Sequence, residues 1–130
     1  MANPNIVSVT SIQAANAAWA LTNTVTTVLL EAAADVIIKI NSIICTNIHA
    51  SNAATVSVGI YGMGSGATGA TSNVPLANCR IANLINVPQG DSLVIIDKPI
   101  YMMEGDILKG GASAASTLEL FCSYEVINDA

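Results

Sequence analysis

Short segments of alternating apolar and polar residues predict a chain built from many short β-strands. The clearest is segment 55–61, where Val56, Val58 and Ile60 share one face and small or polar residues share the other. Segment 36–47 is longer and apolar on both sides, so we expect its middle to be covered on both faces. β-Branched aliphatic residues and Thr are frequent throughout, which favours strands over helices.

Gly, Pro, Asn and Asp recur between the apolar segments and mark turns. The strongest turn signals are 88–91 and 104–106, where Gly supplies a positive φ. The Ala-rich segment 13–20 is predicted to be a loop with one helical turn, because Ala favours helix but the segment is too short for a stable one. The predicted strands are 6–12, 24–30, 36–47, 55–61, 80–87, 92–96, 100–103, 107–112 and 117–127.

This pattern predicts an all-β fold, a single-domain antiparallel β-sandwich or jelly roll of about 8–9 short strands. A chain of 130 residues has the size of one domain, and neither an internal repeat nor a linker divides it. We therefore expect residues 1–130 to form one domain, with 1–12 as an N-terminal arm or first strand. The Gly-rich segment 62–73 has almost no core-forming residue and is predicted to be a flexible exposed loop.

The composition indicates a surface that is poor in charge. Hydrophobic residues make up 52% of the chain and charged residues 10%, against roughly 25% charged residues in an average soluble domain. Such a surface is prone to association. The net charge of −5 argues against nucleic acid as a partner. With neither an apolar run of membrane-spanning length nor a secretory signal, we expect no membrane partner and assembly in a cytoplasm.

The candidate chemical groups show no catalytic, cofactor-binding or metal-binding pattern. His49 lies in a polar loop without a nucleophile motif, so an exposed loop histidine is expected. The spacing of four acidic residues in the second half supports neither calcium nor glycosidase chemistry; they are Asp91, Asp97, Glu104 and Asp106. The Gly-rich loop lacks the lysine and helix of a phosphate site. We expect a protein without cofactor or enzymatic activity.

Cysteine and aromatic residues refine this interpretation. Cys45, Cys79 and Cys122 have no zinc or disulfide spacing, so we expect three reduced cysteines that act as small core residues. Trp19 and Tyr61 are the aromatic residues that could stack on a sugar. Phe121 shares a strand face with Glu119, Ser123 and Glu125, which makes it a candidate contact residue.

Four segments carry a resemblance to a known class of proteins. They are 1–12 (MANPNIVSVTSI), 100–108 (IYMMEGDIL), 112–118 (ASAASTL) and 123–127 (SYEVI). Together they resemble small virion structural proteins of tailed bacteriophages, of the capsid decoration or cement type found in cyanophages and marine phages. The likeness extends over most of the chain in strand order.

The resemblance implies a non-enzymatic virion protein, expected to be a capsid decoration protein that binds the outer surface of the head and stabilises the shell. The alternatives are a neck, tail or fibre-base protein, or a carbohydrate-binding module for host recognition. The expected partners are the major capsid protein or other virion proteins and sister copies in a trimer, at the capsid surface of the virion. The expected interface residues are Asn3, Pro4, Ile6, Val7, Val9 and Phe121.

Overall fold

The computed structural model describes residues 9–63 and 76–128, and these residues form nine β-strands. The apolar segments and the turn signals between them account for most of the strand boundaries. The strands are β1 (Ser11–Ala20), β2 (Val28–Glu31), β3 (Val36–Asn47), β4 (Ala54–Tyr61), β5 (Cys79–Val87), β6 (Ser92–Ile96), β7 (Ile100–Met102), β8 (Ile107–Ala112) and β9 (Leu118–Asn128).

The strands form two antiparallel sheets, which we call sheet A and sheet B. Sheet A has the order β1-β9-β3-β6, with β7 also paired to β3, and sheet B has the order β2-β8-β4-β5. The pairs are nested: β1 lies beside β9, β2 beside β8, β3 beside β6 and β7, and β4 beside β5. Such nesting describes a long hairpin rolled into a sandwich. The fold is therefore a jelly roll.

The core lies between the inner faces of the two sheets. Its fully buried side chains come from both sheets, with Ile40 and Ile43 on β3, Val56 on β4, Leu108 on β8 and Leu120 on β9. Along the first half of β9, buried Leu118, Leu120 and Cys122 alternate with exposed Glu119 and Phe121, as expected for a strand with one covered face. The all-β sandwich predicted from the sequence is confirmed.

Several local predictions are also confirmed. Strands β3, β6 and β8 have the predicted boundaries. Gly90 and Gly105 have φ values of 68° and 87°, as the two turns require. In β3, however, coverage on both faces occurs at the start of the strand, where the successive residues Val36, Ile37 and Ile38 are all buried.

The prediction for the beginning of the chain was wrong. Residues 13–20 are not a loop with a helical turn but part of β1, whose ten residues pair without interruption with β9, from Ser11 opposite Asn128 to Ala20 opposite Glu119. The helix preference of Ala is a weak local bias, and pairing along a whole neighbouring strand overrides it. Of the predicted strand 6–12, residues 6–8 lie outside the described part of the chain.

The predicted strand 24–30 is also corrected. Residues 25–26 form a turn, in which the Thr27 N–H donates to the Thr24 carbonyl at 3.1 Å, and β2 begins only at Val28. The hydroxyl groups of Thr22 and Thr27 lie 2.8 Å apart and close this turn. Threonine hydroxyls compete with strand pairing in this way, so a Thr-rich segment does not by itself specify a strand.

The segment 62–73 lies mostly outside the described residues. Of its described residues, Gly62 donates its N–H to the Asn78 Oδ1 at 3.0 Å. Met63 is partly buried against the core, and its N–H donates to the Ala77 carbonyl at 2.9 Å. The expectation of an exposed loop is therefore wrong at Met63.

Candidate functional site

The outer face of sheet A, which points away from sheet B, carries an apolar row that crosses four strands. Ala18 on β1 lies opposite Phe121 on β9, Phe121 lies opposite Ile44 on β3, and Ile44 lies opposite Val94 on β6. Directly opposed residues in antiparallel strands share a face, so these four side chains are neighbours on one surface. Phe121 is 42% exposed and Val94 56% exposed. We call these four residues the Phe121 row.

A β-bulge places Ile44 in this row. The register between β3 and β9 shifts between Ile40 and Ser42, so that Asn41 is the extra residue. Before the bulge, Ile38 and Ile40 point into the core; after it, Ile43 and Cys45 do. Without the shift, Ile44 would lie on the inner face.

A depression of about 350 Å³ adjoins the Phe121 row. Its outer-face lining is mostly apolar or uncharged, and the carboxylate of Glu119 is the charged group among its lining residues. Because Ala18 and Ala20 are small, the surface beside the Phe121 ring is concave. The lining residues are Ala18, Trp19, Ala20, Ile44, Thr46, Glu119, Leu120 and Phe121.

Polar rows flank the Phe121 row on both sides. On one side, Thr46 Oγ1 and Ser92 Oγ lie 3.0 Å apart. On the other side, beyond a row of uncharged polar residues, Lys39 Nζ lies 3.9 Å from Glu125 Oε2. An apolar centre with a polar rim is the usual composition of a protein–protein contact surface.

The other predicted interface residues are not brought to this surface by the described part of the structure. Val9 is half-buried and precedes β1 without belonging to a strand. Asn3, Pro4, Ile6 and Val7 lie outside the described residues. Burial along β9 alternates from Leu118 to Cys122, which places Phe121 and Glu119 on the exposed face as predicted, while Ser123 and Glu125 are half-buried.

His49 organises its own loop and is half-buried rather than exposed as expected. Its Nδ1 accepts the backbone N–H groups of Ser51 and Asn52 at 3.1 and 3.0 Å. Its own N–H donates to the Asn47 Oδ1 at 2.8 Å. The imidazole therefore satisfies the backbone of a turn.

Of the four acidic residues considered for metal or glycosidase chemistry, Glu104 and Asp106 share the turn before β8, whereas Asp91 and Asp97 lie in two other connections. Asp91 Oδ1 accepts the Ser92 N–H at 2.8 Å, and Glu104 Oε2 accepts the Asp35 N–H at 3.0 Å. The second contact joins the turn before β8 to the turn before β3. Within residues 9–63 and 76–128, no group of three or more His, Cys, Asp or Glu side chains is placed to hold a metal ion.

Asp106 is the buried member of the acidic set. Its Oδ2 accepts the Met103 N–H at 2.8 Å, within the turn in which the Asp106 N–H donates to the Met103 carbonyl at 2.9 Å. Burial raises the pKa of the Asp106 carboxyl above its ordinary value of 3.8, and the Met103 hydrogen bond opposes this shift only in part. The folded protein therefore holds this proton more tightly than the unfolded chain does.

This shift predicts a pH-dependent difference between the wild-type protein and Asp106→Asn. As the pH rises from 3.8 through the raised pKa, the wild type loses the stability that the bound proton contributes, because its folded state then contains a buried carboxylate. The variant has no such titration. Its free energy of unfolding relative to the wild type should increase across this interval in urea titrations. If the difference in free energy of unfolding between the variant and the wild type stayed constant or decreased, the raised pKa of Asp106 would be contradicted.

The cysteines do not all behave as predicted. Cys45 and Cys122 are buried free thiols in the core, and burial raises the pKa of each to about 11. These two thiols therefore stay protonated and unreactive near neutral pH. Cys79 is also free but is exposed at the start of β5, so its prediction as a core residue was wrong.

The aromatic residues proposed for sugar stacking are both engaged within the protein. Trp19 is on the inner side of β1 and packs against the core. Tyr61 is half-buried, and Lys109 Nζ lies 4.9 Å from the centre of its ring. A stacking site needs an open ring face. Trp19 and Tyr61 are both half-buried, so neither has a fully open ring face.

The comparisons with known proteins identify no family. No protein-family model and no curated protein matches the chain. A solved structure from Bacillus, described under "Bacillus endospore appendages form a novel family of disulfide-linked pili", is similar to this chain with 14% identity and a TM-score of 0.49. The match covers 92% of this chain and 88% of that chain.

No helix in the described residues is long and apolar enough to cross a membrane.

Proposed function

We propose that this protein is a non-enzymatic structural component of a bacteriophage virion that decorates the outer surface of the capsid. The observation that carries this proposal is the Phe121 row, an uncharged apolar surface on a protein with very few charges. A surface of this kind favours a lasting contact with another protein. The resemblance of four sequence segments to phage virion proteins supports the choice of partner.

The proposed mechanism is adhesion to coat subunits. The Phe121 ring would enter a recess on the coat, and the depression beside it would receive a coat side chain. Buried aromatic residues at the centre of an interface commonly contribute much of its binding free energy, while the polar rim excludes water. A specific contact needs about 800 Å² on each partner, so the interface would extend beyond the Phe121 row onto the flanking polar rows.

The jelly-roll fold supports this proposal only weakly. Jelly rolls occur in viral capsid proteins and also in lectins, so the fold is compatible with both the virion and the carbohydrate-binding hypotheses. The contacts of Trp19 and Tyr61 favour the first of these. Binding to a virion protein needs an apolar contact surface, and the Phe121 row is such a surface. Sugar binding would need an open aromatic ring for stacking instead.

The position within the virion is tested by copy number. Purified particles of the phage that encodes the chain would be analysed by quantitative mass spectrometry against the coat protein. We expect copies on the scale of the coat protein. A few copies per particle would indicate a neck, tail or fibre-base position instead, and absence from purified particles would refute the virion proposal.

Replacement of Phe121 should weaken attachment to the capsid. We expect Phe121→Ala to bind heads that lack the protein at least about tenfold more weakly than the wild type, because the central ring of the contact is lost. Sedimentation of labelled protein with heads measures this binding. Ile85→Ala is a matched control, since Ile85 lies on sheet B and is 39% exposed, close to the 42% of Phe121. Equal binding by Phe121→Ala and the wild type would exclude the Phe121 row as the contact.

A further inference from the structure

Strand β1 is a long edge strand with one neighbour among the described residues. It pairs with β9 along ten residues and forms the end of sheet A. Leu21 continues the same register, and its N–H donates to the Leu118 carbonyl at 2.9 Å. Antiparallel strands exchange hydrogen bonds at every second residue. The odd-numbered residues of β1 therefore bond to β9.

The even-numbered residues of β1 point their N–H and C=O groups away from β9, toward the open edge. They are Ile12, Ala14, Asn16, Ala18 and Ala20. Within residues 9–63 and 76–128, no other strand lies on this side of β1. The segment contains neither a charged residue nor a proline, and its pairing with β9 has no register shift. Unprotected edges of this kind readily pair with another strand.

The other sheet edges carry protective features. Asp97, Lys98 and Pro99 separate β6 from β7 on the far side of sheet A. Strand β2 has four residues and a register shift against β8. Register shifts interrupt the β4–β5 pairing, and Leu84 in β5 has a φ of 53°. Bulges, short strands, proline and charge all discourage pairing. Among the described edges, β1 alone is long, regular and uncharged.

We infer that β1 pairs with β1 of a second copy of this chain, antiparallel about a two-fold axis at Asn16. A register with Asn16 opposite itself also places Ala14 opposite Ala18 and Ile12 opposite Ala20 of the second copy. All the edge-facing groups then find partners, in about ten hydrogen bonds. The small, uncharged side chains along β1 permit close approach without charge repulsion. The two A sheets become one continuous sheet.

This inference goes beyond the proposed function, because it concerns self-association and not attachment to a capsid. It also differs from the trimer expected from the sequence. An isologous contact uses the same surface on both copies and closes after two subunits. Pairing of β1 with a protected edge of a neighbour would instead produce a ring or a fibre.

Cysteine cross-linking tests the register. In a Cys79→Ser background, which removes the exposed thiol, Asn16→Cys places a thiol beside its symmetry mate. Opposed residues at hydrogen-bonded positions have Cα atoms about 5.5 Å apart, within disulfide range. We expect mild oxidation to give covalent dimers, whereas the control Ile12→Cys, opposite Ala20, should give few. No dimer with Asn16→Cys, or equal cross-linking in both variants, would overturn the inference.

Proline at the same position tests the role of the edge hydrogen bonds. Asn16→Pro removes an N–H that points to the open edge and leaves the bonds between β1 and β9 in place. We expect sedimentation analysis to show a dimer for the wild type and for the control Asn16→Ala. Asn16→Pro should raise the dimer dissociation constant at least about tenfold without lowering the temperature of unfolding of the monomer. A wild-type monomer or trimer, or a dimer that tolerates Asn16→Pro, would refute β1 pairing.

Discussion

Asn47→Ala should lower the free energy of unfolding by about 3 kcal/mol, because it leaves three backbone groups without partners. Asn47 is 1% exposed at the end of β3. Its Nδ2 donates to the carbonyl groups of Asn52 and Val87, each at 2.9 Å, and its Oδ1 accepts the His49 N–H at 2.8 Å. One side chain thus joins the loop after β3 to the end of β5. Urea unfolding of the variant and the wild type measures the loss.

Asn52→Ala is the control for this prediction. Asn52 lies in the same loop and is exposed, and it contributes a backbone carbonyl rather than its side chain to the Asn47 contact. Its replacement should change the free energy of unfolding by no more than about 0.5 kcal/mol. If Asn47→Ala were as mild as Asn52→Ala, then water or a shifted loop would satisfy the three backbone groups.

The case of Asn47 shows which information the sequence lacks. An asparagine at the end of an apolar segment is a normal turn signal, and nothing in its local pattern separates a buried network from an exposed turn. Its partner Val87 is 40 residues away along the chain. Only the fold brings that carbonyl to Asn47. The exposure of His49 was predicted wrongly for the same reason. Its half-buried position depends on the conformation of the loop that the Asn47 side chain stabilises.

Strand prediction succeeded where the local pattern was strong. Strands β6 and β8 each begin directly after a Gly-containing turn, and both boundaries of each strand were predicted correctly. In β1, the side chains facing sheet B are Ser, Gln, Ala and Trp, so the strand has no apolar alternation. Its conformation is determined by β9. The choice between a general sandwich and a jelly roll likewise depended on pairings between distant strands.

The candidate site was predictable in one strand only. Alternation along β9 places Phe121 on the outer face, and the structure agrees. The remaining members of the Phe121 row depend on registers between strands. Ile44 reaches the row because of the bulge at Asn41, and Val94 reaches it after a register shift between β3 and β6. Bulges insert one residue without a clear sequence signal, so the row as a surface could not be derived from the sequence.

Gly111→Ala should be at least as damaging as Asn47→Ala, because β8 and the segment before β2 approach each other too closely for a side chain. A Cβ atom at Gly111 would lie 2.5 Å from the Thr24 carbonyl oxygen and 2.8 Å from the Val25 Cα. These are backbone atoms, and two hydrogen bonds keep their segment in place. The Ala112 N–H donates to the Thr22 carbonyl, and the Gly110 N–H donates to the Thr27 carbonyl.

We therefore expect Gly111→Ala to lower the free energy of unfolding by about 3 kcal/mol or more, since the segment must move and stretch these hydrogen bonds. Gly90→Ala separates this steric effect from the loss of a glycine as such. Gly90 has a φ of 68° and no atom within 4 Å of the position of a Cβ, so its replacement should cost only the backbone strain of about 1 kcal/mol. Urea unfolding of both variants gives the comparison. A cost at Gly111 no larger than at Gly90 would mean that the segment before β2 yields easily and that its hydrogen bonds to β8 contribute little to the fold.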